Sequence, residues 1–299
     1  MRIFITGGTG LIGSELAETL HSRGHRITVL TRNVKKAENK LGSLVDFCPS
    51  LNSLESLDEY EAIINLAGES IAGGRWTKKR KALMENSRWT ITQKLTELIK
   101  KSKTAPHTFI SGSAIGYYGS QEDKILTENS KPEDEFPYRL CSRWEAFAKD
   151  AESSKTRVCL LRTGIVLSAR GGMLPVMAFP FKLGLGSIMG TGKQYISWIH
   201  INDMVNAIIF LLENKKEKGA FNMTSPEPVD NEAFSKILAK SLHRPCWFRI
   251  PSGLISAIMG EASTLILDGQ RAVPQRLLEA GYNFEYTDLK ETMSDIFQK

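Results

Sequence analysis

Three glycines near the amino terminus carry the clearest chemical signal. Gly7, Gly10 and Gly13 follow the apolar run Ile3-Phe4-Ile5 in GxxGxxG spacing, and a helical pattern begins at Leu11-Ile12. A strand, a bare turn and a helix start, in that order, form a cradle for a dinucleotide. Gly7 allows the tight turn, Gly10 lets a pyrophosphate approach the backbone, and Gly13 lets the helix pack on the sheet. The first N–H groups of the helix, at the positive end of its dipole, then face the phosphates, which brings Thr9, Leu11 and Ile12 into the site. The end of the second β run selects the dinucleotide. Units that bind NAD place an acid there for the ribose hydroxyls. Here Val29-Leu30 is followed by Thr31-Arg32-Asn33. A guanidinium at Arg32 suits a 2′-phosphate, so the expected cofactor is NADP(H).

These residues need a scaffold of alternating strands and helices. Short β-branched runs at residues 2–5, 26–30, 62–66, 108–111 and 157–161 alternate with helical stretches at 11–23, 78–101 and 138–151. That alternation predicts an α/β fold, a Rossmann-type doubly wound parallel sheet with a smaller, mostly helical C-terminal substrate lobe. Residues 1–167 form the expected dinucleotide-binding domain, with 195–223 returning to it through a helix at 200–212 and a late strand at 219–223. Residues 168–194 and 224–299 form the expected substrate side. The stretch 168–197, rich in Gly, Pro and Met, reads as irregular chain beside a cleft.

Composition excludes several classes. At 299 residues, 41% hydrophobic and 24% charged, the chain is ordinary for a globular protein. No apolar run reaches the roughly 20 residues of a membrane span. Met1 leads directly into the first strand, so the expectation is a cytoplasmic protein without a membrane association. The net charge is +6, but the basic residues form no stripe, and Lys78-Lys79-Arg80-Lys81 reads as a solvated helix start, so nucleic acid is not an expected partner. Cys48, Cys141, Cys159 and Cys246 form no CxxC pair, the five histidines form no ligand spacing, and no metal is expected.

Further motifs point to a family. The turn at residues 6–13, Asn65-Leu66-Ala67-Gly68, and Ser111-Gly112-Ser113 with Tyr118-Gly119 resemble the extended short-chain dehydrogenases/reductases, the NAD-dependent epimerase/dehydratase superfamily. Gly116-Tyr117-Tyr118-Gly119, Cys141-Ser142-Arg143-Trp144-Glu145 and Gly269-Gln270-Arg271-Ala272-Val273-Pro274 are similar to the YfcH-type epimerase family, which carries a C-terminal domain of unknown function, here at about 249–296. The resemblance implies that Leu66, Ala67 and Gly68 line the adenosine-ribose side, that Arg88 lies near the cofactor, and that Val166 meets the nicotinamide end. It also implies a small-molecule substrate, such as a nucleotide sugar.

The superfamily's redox chemistry uses a Tyr-x-x-x-Lys pair with a Ser. Aligning on Glu145 puts Cys141 at the Lys position and Pro137 at the Tyr position. Aligning on Tyr118-Gly119 puts Ala114 at the Ser position, with Ser113 one place earlier. The catalytic candidates are therefore Ser113, Tyr117, Tyr118, Tyr138 and Cys141, with His200 more suited to a structural role. Two functions compete: an NADP-dependent reductase or epimerase with a rebuilt site, and an NADP(H)-binding regulatory or cell-division-associated protein without turnover. A vestigial cleft ranks below both. No protein partner is legible. Met173, Met177, Phe179, Phe181 and Met189 would form an apolar cover over the nicotinamide end, with Arg170, Lys182 and Lys193 as candidate anion contacts and the run around Glu261, Gln270 and Arg271 closing the other side. Removing the Arg32 guanidinium should cost about 2 kcal/mol of NADPH binding, roughly thirtyfold in Kd. Titration of Arg32→Ala with NADPH and NADH checks this, and unchanged NADPH affinity would refute the assignment.

Overall fold

The computed structural model describes residues 1–72 and 74–298; Gly73 and Lys299 lie outside it. Seven parallel strands form the central sheet: β1 (Arg2–Thr6), β2 (Arg26–Leu30), β3 (Asp46–Cys48), β4 (Ala62–Asn65), β5 (Thr108–Ala114), β6 (Arg157–Thr163) and β7 (Gly219–Met223). Their order is β7-β6-β5-β4-β1-β2-β3. The chain runs outward from β1 to β3, then returns to the other side of β1 as β4. That reversal opens a crevice between β1 and β4 at the carboxyl ends of the strands, where doubly wound sheets bind ligands.

Strand periodicity sends alternate side chains to opposite faces. Ile3 and Ile5 pack with Leu16 and Leu20 of helix α1 (Leu11–Ser22) and with Ile208 of a helix at Ile201–Glu213. Phe4 and Phe109 instead meet Leu95 and Ile99 of a helix at Lys78–Lys101, with Ala148 of a helix at Phe136–Lys149. With the short helix α2 (Val34–Leu41), these elements are α3 (Lys78–Lys101), α4 (Phe136–Lys149) and, in chain order after α5 (Met173–Lys182), α6 (Ile201–Glu213). Thr77 caps α3, its hydroxyl accepting from the Arg80 N–H at 3.2 Å. Arg80 and Lys81 in that first turn pair with Glu69 and Glu261, so part of the basic run is tied to neighbouring segments.

The stretch 168–197 is not irregular throughout. It contains α5 and strands at Gly186–Met189 and Tyr195–Ile196. Pro175 sits in the first turn of α5, where its missing N–H leaves no bond unmade, and Pro180 lies close to the end. The short strand β3 and helix α2 also went unread.

The C-terminal region is mostly helical and tied to the sheet. Helix α7 (Asn231–Ser241) and the last helix, Leu289–Gln298, pack with α5 around Trp198, Phe181, Phe234 and Met293. Strand Arg271–Ala272 pairs in parallel with Ile125–Leu126. Arg276 donates to the carbonyls of Ala220 and Lys218 at 2.8 and 2.7 Å. Asp203, buried at the start of α6, accepts the Tyr282 hydroxyl at 3.0 Å and the N–H groups of Glu285 and Tyr286 at 3.0 and 2.8 Å. Burial raises the Asp203 pKa despite those donors. No described helix is long and apolar enough to cross a membrane.

Deleting residues 249–299 strips Asp203 of all three donors, and the expected outcome is an insoluble chain or one without a cooperative thermal transition. Tyr282→Phe removes one of them and should cost about 2 kcal/mol in urea unfolding. An unchanged midpoint would show that this tether contributes nothing.

Candidate functional site

The turn after β1 depends on close backbone approach. Gly7 has φ +72°, and a Cβ there would lie 2.6 Å from the carbonyl carbon of Leu66, just past β4. A Cβ on Gly13 would lie 2.2 Å from the Gly7 carbonyl oxygen. Any side chain at either position would push β1, α1 and the Leu66 loop apart. Gly10 is the N-cap residue of α1 and no side chain caps it; Ser14 instead turns its hydroxyl back to the Gly10 carbonyl at 2.8 Å. The leading N–H groups of α1 therefore have no side-chain acceptor, and Leu11, Ile12 and Gly13 line the cleft. Beneath it a buried chain links strands to helices. Thr6 donates to Asn65 Oδ1 at 2.6 Å, Asn65 Nδ2 donates to Thr92 at 2.8 Å, and Trp144 Nε1 donates to Thr92 at 2.9 Å.

The structure brings Gly7, Gly10, Leu11, Ile12, Gly13, Leu66, Arg88 and Val166 to one cavity of about 670 Å³. Thr9, Thr31, Arg32, Ala67 and Gly68 are not on its wall, although several adjoin it. Thr9 is an exposed part of the turn, its carbonyl accepting from Lys40 Nζ at 2.8 Å. Ala67 donates its N–H to Thr6 Oγ1 at 3.3 Å, and Gly68 lies under the Arg88 guanidinium, whose Cζ would be 3.0 Å from a Cβ there. Arg88 donates to the Met84 carbonyl at 3.0 Å and stands 5.2 Å over the Trp144 ring. Burial lowers its pKa, and it has no carboxylate partner among the described residues. Thr31 Oγ1 accepts from the Asn33 N–H at 3.2 Å, and Asn33 caps α2 through Lys36 N–H at 3.0 Å. Between them Arg32 is exposed and makes no hydrogen bond or ion pair among the described residues.

Of the five proton-transfer candidates, Ser113 and Cys141 line the cavity, whereas Tyr117, Tyr118 and Tyr138 do not. Pro137 lines it too, so the wall that carries Cys141 presents Pro137 one helical turn away. Ser113 donates its hydroxyl to Glu145 Oε1 at 2.8 Å. Glu145 forms a bidentate pair with Arg162, at 2.8 and 3.0 Å, and both side chains are buried. Burial opposes the Arg162 charge, yet the hydrogen bonds and charge of Glu145 raise its pKa overall. Arg162 also donates to the Tyr118 hydroxyl and the Glu128 carbonyl, each at 3.1 Å, and lies 3.5 Å from the Tyr117 ring centroid. Tyr118 is fully buried, donates to Asn222 Oδ1 at 2.6 Å, and is pushed up to about 12 by desolvation. Tyr117 meets Tyr138 edge to face, with centroids 5.4 Å apart. Burial pushes the Cys141 thiol up to about 11, which keeps it protonated near neutrality. His200 accepts from the Asn202 N–H at 3.2 Å, capping α6, and its ring lies 3.8 Å from Tyr286.

The apolar cover is formed by Met173, Met177, Phe181 and Met189, together with Leu265 and Ile266 from the C-terminal region. Phe179 instead points out, 63% exposed. Arg170, Lys182 and Lys193 do not line the cavity, and Arg170 pairs with Glu15. Sequence reading missed the Glu145–Arg162 pairing, although Glu145 stands in a family motif, and missed Glu135 and Asp268 on the wall, which carry no motif. Burial and then the charge of Glu135 raise the Asp268 pKa. No group of three His, Cys, Asp or Glu side chains among the described residues is arranged to hold a metal.

Known proteins share this architecture. A family model described as NAD dependent epimerase/dehydratase family matches residues 3–224, and a domain of unknown function, DUF1731, matches 250–296. Epimerase family protein YfhF of Bacillus subtilis is 38% identical over 298 residues, covering 99% of this chain and 98% of its own. Epimerase family protein SAR0825 of Staphylococcus aureus is 37% identical over 299 residues, with 99% and 98% covered. Among solved structures, human epimerase family protein SDR39U1, crystallised with NADPH, matches with a TM-score of 0.91 and 30% identity over the full length of both chains. The nucleoside-diphosphate sugar epimerase from Corynebacterium glutamicum matches with a TM-score of 0.79 and 30% identity, covering 99% of this chain and 58% of its own. From the strand order, the glycine turn and these matches, the chain belongs to the NAD dependent epimerase/dehydratase family, alongside the epimerase family proteins.

Proposed function

We propose that this protein binds NADP(H) between β1 and β4 and uses it in oxidoreduction of a small molecule held between α5 and the C-terminal region. The carrying observation is the cavity itself, which runs without a break from the uncapped start of α1 to the apolar cover. The NADPH in the human relative, at 30% identity over the full chain, supports the same cofactor here. The residues fit that group: the Gly7 and Gly13 positions admit only backbone, and among the described residues no side chain caps the α1 N–H groups and no carboxylate pairs with Arg32 or Arg88. Leu11 and Ile12 would hold the pyrophosphate and Thr9 would flank it. Thr31 and Arg32 would take the 2′-phosphate. Leu66, Ala67 and Gly68 would flank the adenosine ribose, Arg88 would lie over Gly68, and Val166 would face the nicotinamide. When bound, the nicotinamide would donate a hydride to a carbonyl carbon or accept one from an alcohol.

Proton transfer is the altered part of the site. Ser113 and Cys141 are the candidates on the wall, but Ser113 is held by Glu145 and the Cys141 thiol stays protonated. Cys141 therefore acts here as a packing group, and Ser113, its proton given to Glu145, offers the cavity only an accepting oxygen. Pro137 and Cys141, where the family's Tyr and Lys stand, favour a second reading: a cytoplasmic NADP(H)-binding regulator without turnover, including a cell-division-associated one.

Purified protein with NADPH should turn over at least one compound from a panel of sugar nucleotides, quinones and small carbonyls, followed by loss of NADPH absorbance. NADPH binding without turnover across the panel, with a stoichiometric copurifying protein, would favour the regulator. In the native enzyme near neutral pH, Cys141 should resist iodoacetamide and become alkylated only on unfolding. Rapid native labelling at Cys141, mapped by mass spectrometry, would restore it as a reactive thiol.

A further inference from the structure

The proposed function leaves the substrate open, and the family name suggests a nucleotide sugar. Such a ligand brings two phosphates, and proteins meet them with paired guanidinium or ammonium groups or with free backbone N–H groups. The charged residues on the cavity wall are Arg88, Glu135 and Asp268. Arg88 belongs to the cofactor side. It packs on Gly68, in the loop whose Leu66 carbonyl meets Gly7. The far end thus has two carboxyl groups and no cation among the described residues. Nearby cations are off the wall. Arg170 pairs with Glu15, Arg249 with Glu232, and Arg75 donates to the carbonyls of Ile258 and Ala257. Arg271 lies behind Tyr195, 4.7 Å from its ring centroid. Lys182 and Lys193 are exposed and do not line the cavity.

The polar groups that do line the far end are largely committed to backbone. Gln194 Nε2 donates to the carbonyls of Met189 and Ile266 at 2.9 and 3.0 Å. Asn231 Oδ1 accepts from the Met189 N–H at 2.9 Å. Gln270 Nε2 donates to the Gly119 carbonyl at 3.2 Å, and Ser197 donates to the Gln270 carbonyl at 2.6 Å. The rest of the far end is largely apolar, with Met173, Met177, Phe181 and Leu265 beside the hydroxyls of Tyr195 and Ser235, and Val176 carrying the surface outward, 64% exposed, toward Phe179. Asp268 makes no side-chain hydrogen bond among the described residues. A largely apolar pocket with a few polar groups suits a largely hydrocarbon ligand that those groups orient.

We propose that the substrate end of this cleft takes an uncharged, largely apolar carbonyl compound, or the corresponding alcohol, and not a nucleotide sugar, with Asp268 contacting the substrate oxygen. This rests on the NADP(H) oxidoreductase reading and narrows it. A diphosphate here would be desolvated beside Glu135 without a counter-charge, which disfavours binding. Burial and then the charge of Glu135 raise the Asp268 pKa; protonated, its carboxyl donates a hydrogen bond to a carbonyl oxygen, and ionised, it accepts one from an alcohol.

Isothermal titration of the full chain, with and without NADP⁺, against hexanophenone, decanal, menadione and UDP-glucose tests the proposal. At least one of the three apolar probes should bind and UDP-glucose should give no binding heat. Met177→Glu should weaken the apolar probe by about tenfold or more, since it places a charge on the apolar wall, while NADPH affinity of the same variant reports that the fold is intact. Asp268→Leu should weaken the oxygen-bearing probe more than its hydrocarbon analogue. Binding of UDP-glucose more tightly than all three, or failure of all three to bind, would overturn the proposal. Failure of NADPH to bind would refute the cofactor reading separately, because the probes are also titrated into cofactor-free protein.

Discussion

Three stretches of backbone meet at the start of α1 with no room for a side-chain carbon between them. Gly13 lies against the Gly7 carbonyl, and Gly7 lies against Leu66. That contact fixes the distance between β1, α1 and the loop after β4, and the cleft exists because the distance is short. It also orients the leading N–H groups of α1 without using a side chain. A phosphate-sized anion can therefore meet bare backbone there. The order of the sheet places this contact at the strand reversal, where the crevice opens.

A second constraint lies under the cavity wall that carries Ser113 and Cys141. Arg162 and Glu145 are buried charges that neutralise each other across β6 and α4. Removing one partner of such a pair leaves the other charge uncompensated, at a cost of about 3–5 kcal/mol. The pair recruits the polar side chains within reach. Ser113 faces Glu145, and Tyr118 joins Arg162 and Asn222. The hydroxyls of Ser113 and Tyr118 are thereby tied into a bonded interior network. The wall is correspondingly apolar, with Pro137, Cys141 and Trp144 facing the cavity.

The phosphate turn was legible because its requirement is written into single positions: a close approach of backbones can be met only by glycine, and the flanking strand and helix show their own periods. The β–α alternation was legible for the same reason. The stretch 168–197 was not, because Pro175, Pro180 and a run of glycines look like loop chemistry, while the first turn of α5 tolerates the proline and Phe181 and Leu174 supply the packing that decides the matter. Strand β3 has too few residues to show alternation. The candidate list for proton transfer named Tyr118 and Ser113 by type; a sequence does not reveal that Arg162, on another element, engages one hydroxyl directly and the other through Glu145. Asp268 lies in the run expected to close the cleft, but nothing in the sequence marks it out from its neighbours.

Asp203 has a consequence for how the molecule comes into being. Its carboxylate sits at the head of α6, one of the helices that cover the sheet, and its three donors come from Tyr282, Glu285 and Tyr286. Until those residues leave the ribosome, that carboxylate must keep its water, and α6 cannot settle fully against β1 and α1. The cover of the sheet is thus completed by residues far downstream of α6, and a nascent chain would hold the cleft half-built until they emerge.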